Sequence, residues 1–441
     1  MIERVDNMNK VTPKIMPGFM ELLPEDQILF NSMVDTIRET YESFGFLPLD
    51  TPILEYSEVL LAKAGGETEK QIYRFEKGDT DISMRFDLTV PLARYVSMRY
   101  NDLVFPFKRY QIGKVYRGER PQKGRYREFY QCDIDVIGEE LSVKYDAEIP
   151  MIIYELFRKL GFGKFTIRLN NRRVLNGLFS SLNIPDSAEV LRIIDKIDKI
   201  GADEVRKELL DLSLDESVVS KIMDFISIKG SNSEVLAALK DLGITDETFV
   251  KGIEQLEEVI SSLNKFGLDE SYYKIDLTIA RGLDYYTGTV FETILDEYPS
   301  LGSVCSGGRY DNLAEYYTDK SLNGIGISIG ITRLFYQLRE AGIVKPTSKS
   351  LSKVLIIPFS DDNLDYAMNI ATSLREKSII CEVYLDDKPF KKKMNFANRL
   401  GIPYVCIIGD DEQKEGTVTI KNMETGEQNT IDKSKIFDYV K

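Results

Sequence analysis

The sequence predicts an α+β protein in which an antiparallel sheet has helices beside it, a helical segment interrupts that sheet, and a smaller α/β domain follows. Short, turn-broken apolar segments typical of antiparallel strands occupy residues 72–137 and return at residues 274–329. Between them, residues 187–263 carry apolar side chains at the spacing of a helix face. Beyond residue 353, strand-like and helix-like segments alternate. A chain of 441 residues favours two or three domains.

The first domain is expected to span residues 1–345, with residues 185–263 as a self-contained helical insertion. Its first helix begins near Glu25, keeps one apolar face and ends at Gly45. The other elements expected in this domain are the strands Phe46–Leu49, Ile72–Phe75, Ser83–Phe86, Gln111–Tyr116, Tyr126–Val136, Lys274–Ile279, Thr289–Ile294 and Ile325–Ile329, and a helix at Val90–Tyr100.

The α/β domain is expected to span residues 353–441, after a linker at residues 346–352. Strands and helices alternate in it, in the order Lys353–Pro358 (strand), Leu364–Lys377 (helix), Ile379–Leu385 (strand), Lys391–Leu400 (helix) and Tyr404–Ile408 (strand).

Histidine is absent from the 441 residues. This absence excludes catalysis by His–Ser or His–Cys pairs, His-ligated metals and imidazole acid–base relays. Four cysteines occur, none in a C-x-x-C pair, so we expect neither a structural zinc site nor a disulfide scaffold, and a reducing cytoplasm fits. The longest apolar runs have the length of core strands, and the polar amino terminus has no signal-peptide pattern, so no membrane association is expected.

The segment Lys108–Arg127 is basic, although the whole chain has a net charge of 57 − 71 = −14. It contains eight basic residues and one acid, Glu119. A run of charge usually marks a solvated face. Here the basic residues alternate with tyrosines along a predicted strand–turn–strand, so some of them should point at the floor of the sheet. Because buried arginines need anionic partners, the segment favours a polyphosphate site over a solvated surface.

Three further segments fit either a ligand pocket or ordinary core structure. Arg281–Gly288 follows a predicted strand, and its paired tyrosines fit either a core corner or a pocket for a small polar ring. Glycines in Ser306–Asp311 and Gly324–Gly330 permit close backbone approach to a ligand, although glycine in strands more often marks a bend or tight packing. Neither glycine segment has the pattern of a P-loop or a dinucleotide-binding turn.

Two sets of charged residues leave the same choice open. Asp87, within Asp87-Leu88-Thr89, and Asp135 are single carboxylates of the kind that is usually structural. The second set lies near the start of a predicted helix and consists of Lys388, Lys391, Lys392, Lys393 and Arg399. It is either a solvated surface or a nucleic-acid contact.

Taken together, these segments resemble the class II aminoacyl-tRNA synthetases, and most closely the histidyl-tRNA synthetase family. The resemblance covers nearly the whole chain and includes a C-terminal domain similar to the family's anticodon-binding module. It rests on five ordered motifs, namely Thr51-Pro52 with the helix and strand before it, Tyr116–Phe129, Arg281–Gly288, Ser306–Asp311, and Gly326–Gly330 with Arg333. The first resembles the motif that builds a dimer interface, the second and last match the second and third class motifs, and the other two are specific to the histidine enzymes.

The resemblance implies a role for individual residues. Arg117 and Arg281 would act in catalysis on opposite sides of the ATP α-phosphate, and Arg281 would take a position that a metal ion occupies in related enzymes. ATP would be held by Arg117, Glu119, Arg125 and Arg333. Histidine would be bound by Asp87, Leu88, Thr89, Gln131, Asp135, Arg281, Tyr285, Tyr286 and Tyr310. In that set, Asp87, Thr89 and Gln131 would fix the α-amino group, and Asp135 and the tyrosines would recognise the imidazole ring. Contacts to tRNA would come from Gln122, Lys391, Lys392 and Lys393.

The activity implied by the resemblance is ATP-dependent ligation of L-histidine to its tRNA through a histidyl-adenylate, releasing pyrophosphate and then AMP. ATP with Mg²⁺ would be the nucleotide substrate, no protein-ligated metal is expected, and the enzyme would be a cytoplasmic homodimer. Asp87 and Asp135 stand where some family branches have Glu. Thr332 stands where Glu often precedes the third-motif arginine, which puts in doubt an acidic contact there.

Two rival functions belong to other classes of protein. One is the non-catalytic synthetase paralogue that serves as the regulatory subunit of ATP phosphoribosyltransferase, and the other is a synthetase-like nucleic-acid-binding protein with a dead site. Arg117, Gln131, Arg281 and Arg333 are all present, as is the C-terminal domain, so the sequence favours the enzyme.

Overall fold

The computed structural model describes residues 11–62, 67–120, 124–184, 187–279, 286–311 and 314–440. These residues form two compact units. One contains the described residues up to Met20 together with Val34–Ile343, and the other contains Glu21–Met33 together with the described residues from Val344 onward.

Strands of the described residues are numbered in chain order. They are β1 (Leu47–Pro48), β2 (Leu54–Tyr56), β3 (Arg74–Lys77), β4 (Thr80–Met84), β5 (Phe107–Tyr116), β6 (Glu128–Gly138), β7 (Phe165–Asn171), β8 (Tyr273–Ile275), β9 (Tyr286–Leu295), β10 (Ser303–Tyr310), β11 (Asn323–Ile329), β12 (Val354–Pro358), β13 (Cys381–Val383), β14 (Tyr404–Ile408), β15 (Thr417–Asn422) and β16 (Gln428–Asp432).

Helices of the described residues are numbered in the same way. They are α1 (Pro24–Ser43), α2 (Ser57–Leu61), α3 (Glu67–Gln71), α4 (Thr89–Met98), α5 (Lys144–Leu160), α6 (Arg172–Ser181), α7 (Ser187–Ile194), α8 (Ile197–Ile200), α9 (Ala202–Asp211), α10 (Glu216–Ser227), α11 (Asn232–Asp241), α12 (Glu247–Phe266), α13 (Ile331–Glu340), α14 (Leu364–Glu376), α15 (Phe390–Leu400), α16 (Asp410–Glu415) and α17 (Ile436–Val440).

The first unit is built on an eight-stranded sheet with the order β1-β5-β6-β11-β10-β9-β7-β8. Its interior pairs are antiparallel, as predicted, whereas the edge strands β1 and β8 pair in parallel with β5 and β7. On β6, the side chains of Cys132, Ile134 and Val136 are fully buried. Complete burial of one aliphatic side chain contributes about 1.5–3 kcal/mol to the free energy of unfolding, so this strand is a rigid base for its other face.

The strand predicted at Lys274–Ile279 is shorter in the structure, where β8 ends at Ile275. The carboxylate of Asp276 accepts hydrogen bonds from the backbone N–H of Thr278 at 3.1 Å and from its hydroxyl at 2.6 Å. Such a side-chain turn competes with the ladder for backbone donors, and so it ends the strand.

Residues 187–266 are helical except for short connections, as the apolar stripes predict. The expectation that this segment is self-contained is wrong for its last helix, because α12 packs against α5 and α6 of the sheet-bearing part. A Cβ on Gly177 would lie 2.4 Å from the backbone nitrogen of Phe249, and one on Gly252 would lie 2.7 Å from Val174. The two glycines therefore let α6 and α12 approach closely.

The second unit has a five-stranded sheet with the order β13-β12-β14-β15-β16. The predicted strands and helices alternate as expected, and β12 pairs in parallel with β13 and β14. The antiparallel hairpin β15–β16 was not predicted. Both faces of β12 are covered, since Val354 and Ile356 belong to one apolar cluster while Leu355 and Ile357 belong to another.

Candidate active site

A cavity of about 1410 Å³ opens over the large sheet of the first unit. Alternate side chains of β6 form its floor, because side chains of a strand point to opposite faces in turn. These floor residues are Phe129, Gln131, Asp133 and Asp135. Strand β11 lies beside them, with Ser328 directly opposite Asp133. The floor is therefore acidic and rich in hydrogen-bond acceptors.

The glycines of β11 make room for side chains of the site itself. A Cβ on Gly326 would lie 2.3 Å from Oδ1 of Asp135, and a Cβ on Gly324 would lie 2.2 Å from the ring of Tyr310. Real Cβ atoms do not come this close to other heavy atoms. Tight packing, one of the two alternatives that the sequence left open, therefore explains Gly324 and Gly326. The same packing places Asp135 and Tyr310 at the cavity.

Asp135 is held by two partners. Its Oδ2 lies 2.6 Å from Nη2 of Arg109, and its Oδ1 accepts a hydrogen bond of 2.7 Å from the Tyr310 hydroxyl. Burial raises the pKa of Asp135 to about 6, even though Arg109 and Tyr310 both lower it. Arg109 is fully buried. It is a buried cation of the kind that the basic segment predicted in general, but it was not among the predicted site residues.

Gln131 and Asp133 share a hydroxyl group. Nε2 of Gln131 donates to Oγ of Ser328 at 2.7 Å, and Ser328 also hydrogen-bonds Asp133. Burial raises the pKa of Asp133 to about 7, against the lowering effect of Arg109. Asp133 was not among the predicted site residues. Its position midway between Gln131 and Asp135 on one strand was nevertheless a signal that its side chain faces the site.

Asp87 and Thr89 line the same cavity at the start of α4. Oδ1 of Asp87 accepts a hydrogen bond of 3.0 Å from the backbone N–H of Val90, and burial raises the pKa of Asp87. Leu88, predicted to bind histidine, does not line the cavity: its side chain is fully buried and its carbonyl accepts a hydrogen bond from Arg109 at 3.3 Å. Leu88 lies between Asp87 and Thr89, which line the cavity, and its own side chain is buried in the core.

The predicted ATP residues Arg117, Glu119, Arg125 and Arg333 all line the cavity. Nε of Arg117 donates to the carbonyl of Phe86 at 3.0 Å, and its guanidinium lies 5.2 Å from the centre of the Phe129 ring. Arg125 and Glu119 are 3.7 Å apart and partly exposed, so they remain accessible to a ligand.

Thr332 has a structural role in place of the acidic contact that the sequence put in doubt. Its buried hydroxyl accepts a hydrogen bond of 2.8 Å from the backbone N–H of Tyr130. This contact ties the start of α13, which carries Arg333, to the floor strand β6.

Some predicted site residues lie outside the described part of the chain. These are Arg281 and Tyr285 of the first histidine-specific motif and Gln122 in the turn of the basic hairpin. Tyr286, from the same motif, is described and lines the cavity.

Helices α6 and α7 and the turn after α7 add a basic wall that was not predicted. Arg172, Arg173, Arg192 and Lys196 line the cavity there. Arg173 lies 3.3 Å from Asp311, the last residue of the second histidine-specific motif. The helical segment thus borders the same cavity as the floor of β6.

The predicted lysine cluster of the second unit divides in two. Lys391 and Lys392 are exposed on the first turn of α15. Lys393 corrects the prediction, because it is 5% exposed and its Nζ donates to the carbonyl of Pro358 at 2.8 Å and lies 5.8 Å from the centre of the Tyr384 ring. It is thereby removed from the predicted tRNA contact.

The described residues contain no group of three or more Cys, Asp or Glu side chains that could hold a metal ion. Among their helices, none is long and apolar enough to cross a bilayer.

The antiparallel sheet, the arginine-lined cavity on it and the separate α/β unit define a class II aminoacyl-tRNA synthetase. Residues 18–334 match the family model of histidyl-tRNA synthetase, and residues 353–441 match that of an anticodon binding domain. A histidine–tRNA ligase from Clostridium tetani strain Massachusetts / E88 is 60% identical over 433 residues, covering 98% of each chain. The chain belongs to the histidyl-tRNA synthetase family.

Solved structures share this fold. A histidyl-tRNA synthetase from Nostoc sp. PCC 7120 superimposes with a TM-score of 0.91 at 39% identity, over 98% of this chain and 99% of that one. A structure described as an ATP phosphoribosyltransferase regulatory subunit/histidyl-tRNA synthetase from Bacillus halodurans C has a TM-score of 0.74 at 21% identity, over 91% and 100%. The second match, at that identity, shows the fold alone.

Proposed function

We propose that this protein activates L-histidine with ATP and transfers the histidyl group to its cognate tRNA. The observation that carries this proposal is one cavity with acceptors on its floor and arginines in its lining. Acceptors such as Asp135 suit a substrate with N–H donors, and guanidinium groups such as those of Arg117 and Arg333 suit a triphosphate.

In the first step, a carboxylate oxygen of histidine attacks the α-phosphorus of ATP. A new oxygen–phosphorus bond forms as the bond to the bridging oxygen of pyrophosphate breaks. Because the attacking oxygen carries no proton, the step needs no protein base, and positioning with charge neutralisation suffices. Arg117 and Arg281 would neutralise the α-phosphate from opposite sides, and Glu119, Arg125 and Arg333 would position the rest of the nucleotide.

Mg²⁺ is proposed as a companion of the ATP phosphates. Mg²⁺ is commonly bound mainly through substrate phosphates and waters, so an ion that arrives with ATP would need few protein ligands.

Recognition of the imidazole ring is assigned to Asp135, Tyr286 and Tyr310, with Tyr285. The Asp135 carboxylate is fixed by Arg109 and by the Tyr310 hydroxyl, so it presents an acceptor of defined position to a ring N–H. A ring without that N–H would leave a buried acceptor unpaired, which costs about 1–3 kcal/mol.

In the second step, a hydroxyl of the terminal tRNA ribose attacks the carbonyl carbon of the adenylate, and AMP leaves. An oxygen of the phosphate can take the hydroxyl proton, so a protein without histidine can perform both steps. We assign the acceptor end to Gln122 and the basic wall of α6 and α7, and a contact in the second unit to Lys391 and Lys392. We also propose a homodimer, on the first-motif resemblance, in the cytoplasm, where four free cysteines are stable.

ATP–pyrophosphate exchange with each amino acid in turn tests this function. Exchange with histidine alone is expected, and no exchange with any amino acid would favour the regulatory-subunit alternative or a dead site. Arg281→Ala should abolish exchange and leave the circular dichroism spectrum unchanged. An unaltered exchange rate in that variant would remove Arg281 from catalysis.

A further inference from the structure

Asp133 has no role in the function proposed above, although it lies in the middle of the cavity floor. Its residue is 3% exposed, and its Oδ1 has no hydrogen-bond partner in the described part of the chain. Gln131, two residues earlier on the same face, likewise leaves its Oε1 without a partner there. A buried acceptor without a partner is costly, so two of them side by side indicate a missing donor.

Ser328 brings the two open acceptors together. Its hydroxyl accepts from Nε2 of Gln131 at 2.7 Å and hydrogen-bonds the carboxyl group of Asp133. Both side chains bond one hydroxyl and line the same cavity, so a ligand group with several N–H donors would suit both open oxygens. A primary ammonium has three such donors and no acceptor.

The charges around Asp133 indicate that the missing donor is a cation. The titratable and charged groups that interact electrostatically with it are Arg109 on β5, Cys132 and Asp135 on β6, Asp87 before α4, Cys305 on β10 and Tyr41 on α1. Arg109 supplies the positive charge of this set, and it is already paired with Asp135 at 2.6 Å. A buried carboxylate without a paired cation takes up a proton, which agrees with the pKa of about 7 to which burial raises Asp133.

We propose that Asp133 is a further substrate-binding residue, which accepts an N–H of the histidine α-ammonium together with Gln131. The inference rests on the proposed function, since it takes histidine as the ligand. It has one consequence that the other assigned residues do not explain. A protonated Asp133 must ionise to pair with the ammonium group, so histidine binding releases a proton to the solvent.

Isothermal titration calorimetry of the full-length protein with histidine, in phosphate and in Tris buffer, measures that proton. Near pH 7 the wild type should release about half a proton more than Asp133→Asn, because a group with a pKa of about 7 is about half protonated there. Loss of the charged contact should also weaken histidine binding by roughly 10- to 100-fold. Protons exchanged by the substrate ring contribute to both proteins and cancel in the difference.

The control for a change of charge alone is Glu148→Gln. Glu148 is partly buried and does not line the cavity, and its Oε1 accepts a hydrogen bond from Nζ of Lys108 at 2.7 Å. This variant should retain the wild-type proton release and the wild-type affinity for histidine.

Imidazole propionate, which is histidine without the α-amino group, separates a contact from structural support. Asp133→Asn should leave the affinity for this ligand within about twofold, because no ammonium is present to be lost. Equal weakening of both ligands, or an unchanged proton release in the variant, would overturn the proposal. Failure of the wild type to bind histidine or to catalyse exchange would instead overturn the proposed function itself.

Discussion

Tyr310→Phe removes one hydroxyl from the floor and leaves the ring that fills the space above Gly324. The hydroxyl donates to Oδ1 of Asp135 at 2.7 Å and lowers the pKa of that carboxyl group, which burial has raised to about 6. A hydrogen bond to a charged group is worth about 1.5–3 kcal/mol, or about 1–2 pKa units. The pKa of Asp135 in the variant should therefore rise to roughly 7–8. At about pH 7 its ionised fraction falls from about 90% to about 10–50%.

The assay is the pH dependence of kcat/KM for histidine in ATP–pyrophosphate exchange, which requires no tRNA and reports groups of the free enzyme and free substrate. The midpoint of the acidic limb should move upward by about 1 unit or more in Tyr310→Phe. Tyr317→Phe is the matched control, because its hydroxyl donates to a neutral group, the carbonyl of Val59, at 2.8 Å. The ring of free histidine titrates in the same range for every variant, so only a difference between variants concerns Asp135. A midpoint equal to that of Tyr317→Phe would refute the coupling between Tyr310 and Asp135.

Three more expectations concern packing, tRNA and pH. Gly326→Ala should lower the free energy of unfolding by several kcal/mol in urea titrations, because its Cβ would lie 2.3 Å from a backbone carbonyl oxygen. The double variant Lys391→Ala with Lys392→Ala should slow aminoacylation and leave ATP–pyrophosphate exchange unchanged. Lys393→Met should leave aminoacylation unchanged and lower the stability of the protein. Equal loss of aminoacylation and exchange in the double variant would contradict this expectation. The folded protein binds a proton at Asp133 more tightly than the unfolded chain does, so the contribution of Asp133 to stability should fall as pH rises from about 4 to about 7, by on the order of 3 kcal/mol. Asp133→Asn should flatten that slope.

The part of the site that the sequence predicted follows from strand alternation and motif order. A basic hairpin with tyrosines between its charges required some cations to face the sheet, and Arg109 is such a cation. Gln131 and Asp135 were instead implied by the family resemblance, and the alternation of side chains along β6 puts both on one face in the structure. Asp133 shares that face and could have been assigned from the same pattern, since no further information is needed to count residues in steps of two.

The rest depended on contacts between segments distant in sequence. No local pattern showed that Gly324 and Gly326 would be filled by Tyr310 and Asp135, because those contacts come from neighbouring strands. Lys393 was grouped with two exposed lysines, although it lies four residues before Ala397 on the buried face of α15. The spacing of four residues was a usable signal that Lys393 is buried. However, only the hydrogen bond to the carbonyl of Pro358, on strand β12, explains why a lysine is stable there.

The distribution of charge in the cavity would also orient the proposed substrate. Asp87, Asp133 and Asp135 line the cavity, and so do Arg117 and Arg333, which we propose to bind the nucleotide. At an effective dielectric constant of about 20, two unit charges about 4 Å apart interact by about 4 kcal/mol, so a reversed histidine would be strongly disfavoured. If the ammonium group and the ring of histidine lie on the acidic side, its carboxylate would face Arg117 and the α-phosphate. The carboxylates that bind the amino acid would in this way also aim its attacking oxygen, and no histidine side chain is required for either task.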